Sequence, residues 1–221
     1  SRIFIEASVE TESGEAVVTI RDSHTNIVRI AVNGEVVFSG EEKRGNEAVE
    51  KPLIHSYTLE QIYEYSSTVD VEEIRFIMDA FQMNYELFEE GLENPRTTYA
   101  RYLLKKNGGE IFSEDEQKTA SLLCNAAIEA RVIGLDKPAM SITGSGAHGI
   151  IATLPLYAVA KVKGLPDEKL LRATALSYLV CMYIKEYSGK LSAFCGCGIA
   201  AGTGMACALA FMRNADEEAI T

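Results

Sequence analysis

Apolar and polar positions alternate along roughly the first forty residues, in short runs that read as strands. "RIFIEASVE" alternates, "EAVVTIRD" and "NIVRIAVN" are rich in β-branched residues, and Asn33-Gly34 ahead of "EVVFSG" is a two-residue hairpin signal. The charged, glycine-broken "GEEKRGNEAVEKP" reads as a loop, and beyond it the apolar period lengthens to that of helices. Thr58 with Gln61 has the spacing of a capping box. Asp70 can cap "VEEIRFIMDAFQMNYELFEE", and Gly91 stands where a helix-ending glycine belongs. On that helix Ile74, Ile77, Met78 and Phe81 share one stripe, suited to cover a face of the sheet. "GLENPRTT" then stops the helix and is the expected internal boundary. Further on, Ser113 with Glu116 caps a helix reaching about Arg131. Pro166 opens another that continues to Tyr187 and ends at Gly189, and a small-residue helix covers about Gly198 to Met212. The expected fold is α+β. A small N-terminal β-sheet (strands about 2–38) covered by helices occupies 1–95, and an all-helical domain occupies 96–221.

Composition narrows the partners. With 47% hydrophobic and 24% charged residues, the chain has the make-up of a globular protein. Its net charge of −11, uninterrupted by any basic stripe, argues against nucleic acid and against anionic membrane surfaces. The best apolar run, "IAAGTGMACALAFM", falls well short of the ~20 residues that span a bilayer and reads as a buried helix. Five cysteines form no C-x-x-C pair, and that odd number points to reduced, cytoplasmic thiols. The chain opens at Ser1 on the edge of a strand-like run and closes on "DEEAIT", which reads as a piece of a longer protein.

Chemistry concentrates in two stretches. "AMSITGSGAHGIIATLP" contains G-x-G-x-x-G from Gly144 to Gly149, the letters of a dinucleotide fingerprint. The context is wrong for one: a proline-led "IGLDKPAMSIT" precedes it, and the nearest acids, Asp167 and Glu168, open a helix instead of ending a strand. NAD is therefore not expected. Three glycines in six residues can instead turn backbone N–H groups toward an anion, with Ser145 and His148 as side-chain donors and a helix expected to start near Ile150. A tight helix–helix connection with no ligand explains the same glycines equally well.

The second stretch is "GKLSAFCGCGIAAGTGMACALAF". On one helix Cys195 and Cys197 would point roughly 200° apart, so they could not grip one ion together. In a loop just ahead of a helix, Cys195 would instead sit in a field that favours its thiolate. Cys124, Cys181 and Cys207 lie on apolar helical stretches and read as inert packed thiols. The remaining polar candidates have ordinary readings. His24, Thr25 and Asn26 suit a turn at a strand start, Arg131 complements a helix dipole, Lys185 snorkels, and His55 lies on a surface loop.

Taken in order, "SHTNIV", "EAR" followed by "PAM", "TGSGAHGIIATLP" and "YIKEYSGKLSAFCGCGIAAGTGM" resemble the serine-dehydratase-alpha-like family that includes L-cysteine desulfidase. The resemblance runs from about Ile3 to the end of the chain, and its last two motifs are the most specific. It implies an iron–sulfur lyase that removes the β-substituent of a small amino acid, giving pyruvate, ammonia and, from cysteine, sulfide. Carried onto this chain, it makes Cys195 a ligand of a 4Fe-4S cluster in the full-length protein. Gly144, Ser145, Gly146 and His148 become the loop receiving the substrate carboxylate, with Arg131 and Lys185 as polar support. His24, Thr25 and Asn26 match a segment expected to face the same site. The chain departs from the family in two ways. Ala147 stands where the family loop carries Asn, and the family's "GCTEP" segment and later cysteine-bearing segment are absent. The expectation is thus a lyase fragment holding no cluster alone, with homo-oligomer formation open. The competing reading is a non-catalytic amino-acid or small-anion binder of the same fold.

Overall fold

The computed structural model describes residues 3–22, 26–40, 52–189 and 195–220. Internal contacts divide the chain into two units, Ser1–Lys51 and Pro52–Thr221. The first is a four-stranded antiparallel meander: β1 (Phe4–Thr11), β2 (Gly14–Arg21), β3 (Ile27–Val32) and β4 (Glu35–Ser39), paired in sequence order. Asn33 and Gly34 both take positive φ (52° and 82°), the backbone a two-residue hairpin needs to match strand twist. Asn33 Oδ1 also accepts the Glu15 N–H at 2.8 Å, tying the β3–β4 turn to β2.

The second unit is helical: α1 (Leu59–Thr68), α2 (Val71–Ile74), α3 (Met78–Glu93), α4 (Tyr99–Lys106), α5 (Glu116–Val132), α6 (Gly146–Lys163), α7 (Asp167–Ser188), α8 (Gly202–Met212) and α9 (Glu217–Ile220). With the sheet this is the expected α+β class. Thr58 and Gln61 form both halves of the capping box on α1, and Asp70 caps α2 through the Glu72 N–H. α6 packs against α3, α5, α7 and α8 and is buried nearly all round, which suits its almost uncharged run from Gly146 to Ala160.

The structure departs from the sequence expectation in several places. The units part after Lys51, ahead of α1, whereas the pattern put the boundary near residue 95. The helices before "GLENPRTT" belong with the later ones because Ile74, Ile77 and Phe81 bury themselves against Leu170, Leu171 and Leu176 of α7. The long helix after Asp70 is interrupted by a 3₁₀ turn at Arg75–Ile77, whose three-residue repeat keeps Ile74 and Ile77 in register on the buried face. Gly91 does not end α3. It lies inside the helix, where a Cβ would overlap the Ala126 carbonyl of α5. Asp115, not Ser113, is the N-cap of α5, accepting from Gln117 and Lys118 N–H. His55 is buried rather than on a surface loop. Its Nε2 lies 2.9 Å from the Tyr183 carbonyl, and its ring stacks on Tyr187 at 3.9 Å.

Candidate functional site

The glycine loop is a left-handed corner feeding directly into α6. Thr143 and Gly144 both take positive φ (55° and 75°), and the corner closes with an Ile142–Ser145 bridge. No strand leads in, as a dinucleotide fold would require. Left-handed backbone is ordinary for glycine, whereas a β-branched residue there carries strain of about 1–3 kcal/mol. Ser145 is the N-cap, its Oγ accepting the His148 N–H at 3.5 Å, so α6 begins at Gly146, four residues before the expected start. The N–H groups of Gly146 and Ala147 in this first turn have no intrahelical acceptor by helix geometry and add positive potential at the loop.

Two close approaches fix the loop's place. A Cβ on Gly149 would overlap the Met140 carbonyl, so the 139–141 segment lies directly on α6. That segment is held by Asn84 of α3. This fully buried amide accepts the Met140 N–H at 3.0 Å and donates to Thr153 Oγ1 at 2.9 Å. Gly146 makes room for Arg131 at the end of α5: a Cβ there would stand 2.9 Å from Arg131 Nε.

The cysteine segment meets the loop at Gly196. A Cβ on Gly196 would lie 2.9 Å from His148 Nε2 and 3.5 Å from Lys185 Nζ, so both side chains converge on this one backbone position. His148 and Lys185 are both buried, at 4% and 7% exposure. Lys185, far from snorkelling, donates to the Gly189 carbonyl at 2.7 Å where α7 ends. Thr143 Oγ1 lies 2.7 Å from His148 Nδ1. Burial, then the charges of Lys185 and Arg131, hold the His148 pKa below the ordinary histidine value. A chain of net charge −11 thus sets two cations and a helix N-terminus around one loop, a local field suited to a carboxylate.

Cys195 stands immediately ahead of a helical turn that widens to π geometry over Cys197–Ala201, a distortion frequent at functional sites. The N–H groups of Gly198 and Cys197 and the Cys197 thiol hydrogen-bond Cys195, holding its thiol below the usual range while it stays exposed. The other thiols go the opposite way. Burial pushes Cys124 up to about 12 and Cys181 to about 11, and it raises Cys197 and Cys207 as well.

Of the remaining expected site residues, His24 and Thr25 lie outside the described residues. Asn26 belongs to the sheet unit, where its Nδ2 donates to the Arg21 carbonyl at 3.0 Å. Sequence reasoning missed Thr143 and Asn84. A lone amide in the apolar stripe of α3 was a usable signal for Asn84. Thr143 offered none, because a positive φ leaves no mark in residue order.

A family model described as serine dehydratase alpha chain matches residues 9–221. The chain belongs to that family. Among curated relatives, a UPF0597 protein of Clostridium botulinum (strain Langeland) is 40% identical over 219 residues, covering 95% of this chain and 50% of the relative. A UPF0597 protein of Methanocella arvoryzae is 38% identical over 222 residues, covering 100% and 52%. One of Clostridioides difficile is 36% identical over 224 residues, covering 99% and 52%. The chain thus spans about half the length of the curated relatives it matches. No solved structure matches it.

This family is related to iron–sulfur serine dehydratases, whose cluster chemistry calls for several thiolates around one centre. Cys195 suits one such ligand. Among the described residues no three His, Cys, Asp or Glu side chains are grouped to hold a metal, so the set is incomplete for a cluster. Nor is any described helix long and apolar enough to cross a membrane.

Proposed function

We propose that this chain carries the carboxylate-receiving part of an amino-acid lyase, which eliminates sulfide from L-cysteine, or water from L-serine, to leave pyruvate and ammonia. The observation that carries the reading is the convergence of His148 and Lys185 on Gly196, one residue from Cys195. Family membership supports the reaction class.

In this reading the loop at Gly144, Ser145 and Gly146 holds the substrate carboxylate with backbone N–H groups, and Arg131 and Lys185 neutralise its charge. Fixing the carboxylate orients the Cα–H bond, which is the entropic part of the catalysis. In the full-length protein Cys195 would be one ligand of a 4Fe-4S cluster, which would supply a Lewis acid for the leaving group. Its ligand set is incomplete among the described residues.

The test is sulfide and pyruvate release from L-cysteine, and pyruvate release from L-serine, by the full-length protein purified anaerobically. Cys195→Ala is expected to abolish release. Lys185→Met is expected to raise KM, since a lost charged hydrogen bond of about 1.5–3 kcal/mol is worth roughly ten- to a hundred-fold. Full activity in Cys195→Ala would overturn the reading. A second reading, an amino-acid binder without turnover, draws on Ala147, which is buried in the first turn of α6 where the family pattern carries an amide. Saturable binding of L-cysteine or L-serine with no product from the intact protein would favour it.

A further inference from the structure

We propose that Thr143 is a positioning residue. It holds His148 as the Nδ1–H tautomer, so that the Nε2 lone pair is presented beside Gly196 and Lys185 as the proton acceptor of the site. The role of that lone pair in turnover rests on the lyase reading above, whereas the tautomer does not.

Proton counting carries the assignment. Thr143 Oγ1 has one hydrogen, and it donates that to the Ile142 carbonyl at 2.7 Å. The same oxygen lies 2.7 Å from His148 Nδ1, so what it turns to the ring is a lone pair, and Nδ1 must bring the hydrogen. An independent constraint comes from the far side of the ring. Nε2 and Lys185 Nζ approach the same point at Gly196. An N–H there would set the positive end of one dipole toward an ammonium, whereas a lone pair faces it favourably. Burial and the two nearby cations further disfavour the charged form of the imidazole.

The backbone fits the same assignment. At φ 55°, Thr143 occupies a left-handed position that glycine would take without strain, but glycine would remove the hydroxyl. Strain kept by a side chain that orients a buried histidine has the character of a site held in place for chemistry.

In the elimination, the Cα–H bond breaks and its electron pair becomes the second Cα–Cβ bond. The β-substituent leaves with the pair of the bond it loses. The proton passes to His148 Nε2, giving an imidazolium whose Nδ1–H stays on Thr143, and that proton then returns to the departing sulfide or hydroxide.

The test reads the tautomer directly, by nitrogen NMR of the ¹⁵N-histidine-labelled 221-residue chain at about pH 8, above the ordinary histidine range. His148→Gln identifies its signals. Nδ1 is expected to carry the hydrogen and Nε2 the lone pair. Thr143→Ser should keep this pattern, and Thr143→Val, similar in shape but without the hydroxyl, should move it toward Nε2–H or an average. A protonated Nε2 in the unsubstituted chain overturns the proposal whether or not the valine variant folds. So does a pattern that Thr143→Val leaves unchanged. In the full-length protein, Thr143→Val should lower kcat for sulfide release roughly ten- to a hundred-fold with KM little moved, and Thr143→Ser should restore it. Undiminished turnover in Thr143→Val overturns the catalytic role. A protein that converts neither L-cysteine nor L-serine sinks the lyase reading alone, and the NMR result still decides Thr143.

Discussion

Glu129 belongs to the same "EAR" run as Arg131, yet its carboxylate serves α4. It accepts the N–H groups of Thr98 (2.7 Å), Tyr99 (3.1 Å) and Ala100 (3.0 Å) and the Thr98 hydroxyl (3.1 Å). The Thr98 side chain makes no cap of its own, so a residue of α5 satisfies the first turn of a neighbouring helix. Burial works against the charge, but the hydrogen bonds from Thr98, Ala100 and Tyr99 outweigh it and hold the carboxyl below its ordinary 4.5. A depressed carboxyl contributes stability that is present above the unfolded value and is lost as the pH falls through the folded one. Glu129→Ala is therefore expected to cost about 1–3 kcal/mol near neutrality. In urea denaturation the gap between the two proteins should narrow as the pH drops below 4.5. An equal gap at acid and neutral pH would mean that packing, not the charged cap, sets the cost.

Among the helices, glycine marks close approach in one place and open space in another. A Cβ at Gly149 overlaps the Met140 carbonyl, while one at Gly198 meets nothing within 4 Å. Gly149→Ala should destabilise the protein by about 1–3 kcal/mol as the 139–141 segment is pushed off α6. Gly198→Ala should stay within about 0.5 kcal/mol. Equal shifts in thermal melting would show that the loop has room to yield. Both glycines sit in motifs that stand out in the sequence, but their letters do not tell them apart, because the difference lies in what another segment does. The same line divides the rest of the fold. The Asn33-Gly34 hairpin, the Thr58–Gln61 box and the ends of α7 were legible because their signals act within a few residues. Gly91, His55 and the stripe from Ile74 to Phe81 were misread because their partners, Ala126, Tyr187 and Leu170, are remote in the chain. The site shows the same limit. The glycine loop and the cysteine segment stood out as motifs, whereas the meeting of His148 and Lys185 at Gly196, and the contact of Thr143 with His148, depend on how α6, α7 and the π turn pack.

At the scale of the whole molecule, five thiols are present but they do not make one binding centre. A cluster ligand must be deprotonated, so each thiol's environment bears on whether it can serve. Cys195 is exposed and its hydrogen bonds lower its thiol pKa, while burial raises those of Cys124, Cys181, Cys197 and Cys207. The raised values at Cys124 and Cys181, about 12 and 11, make either a poorer ligand than Cys195 in the present packing. The chain also spans only half the length of relatives such as the Clostridium botulinum protein. Anaerobic reconstitution of the 221-residue chain with iron and sulfide is therefore expected to leave no stable cluster after desalting. The full-length protein should retain about four irons and four sulfides, and lose them in Cys195→Ala, because one missing thiolate exposes the cluster to solvent and exchange. Stable retention of that stoichiometry by the short chain would mean that the α5, α7 and π-turn thiols form a ligand set despite the burial that raises their pKa values.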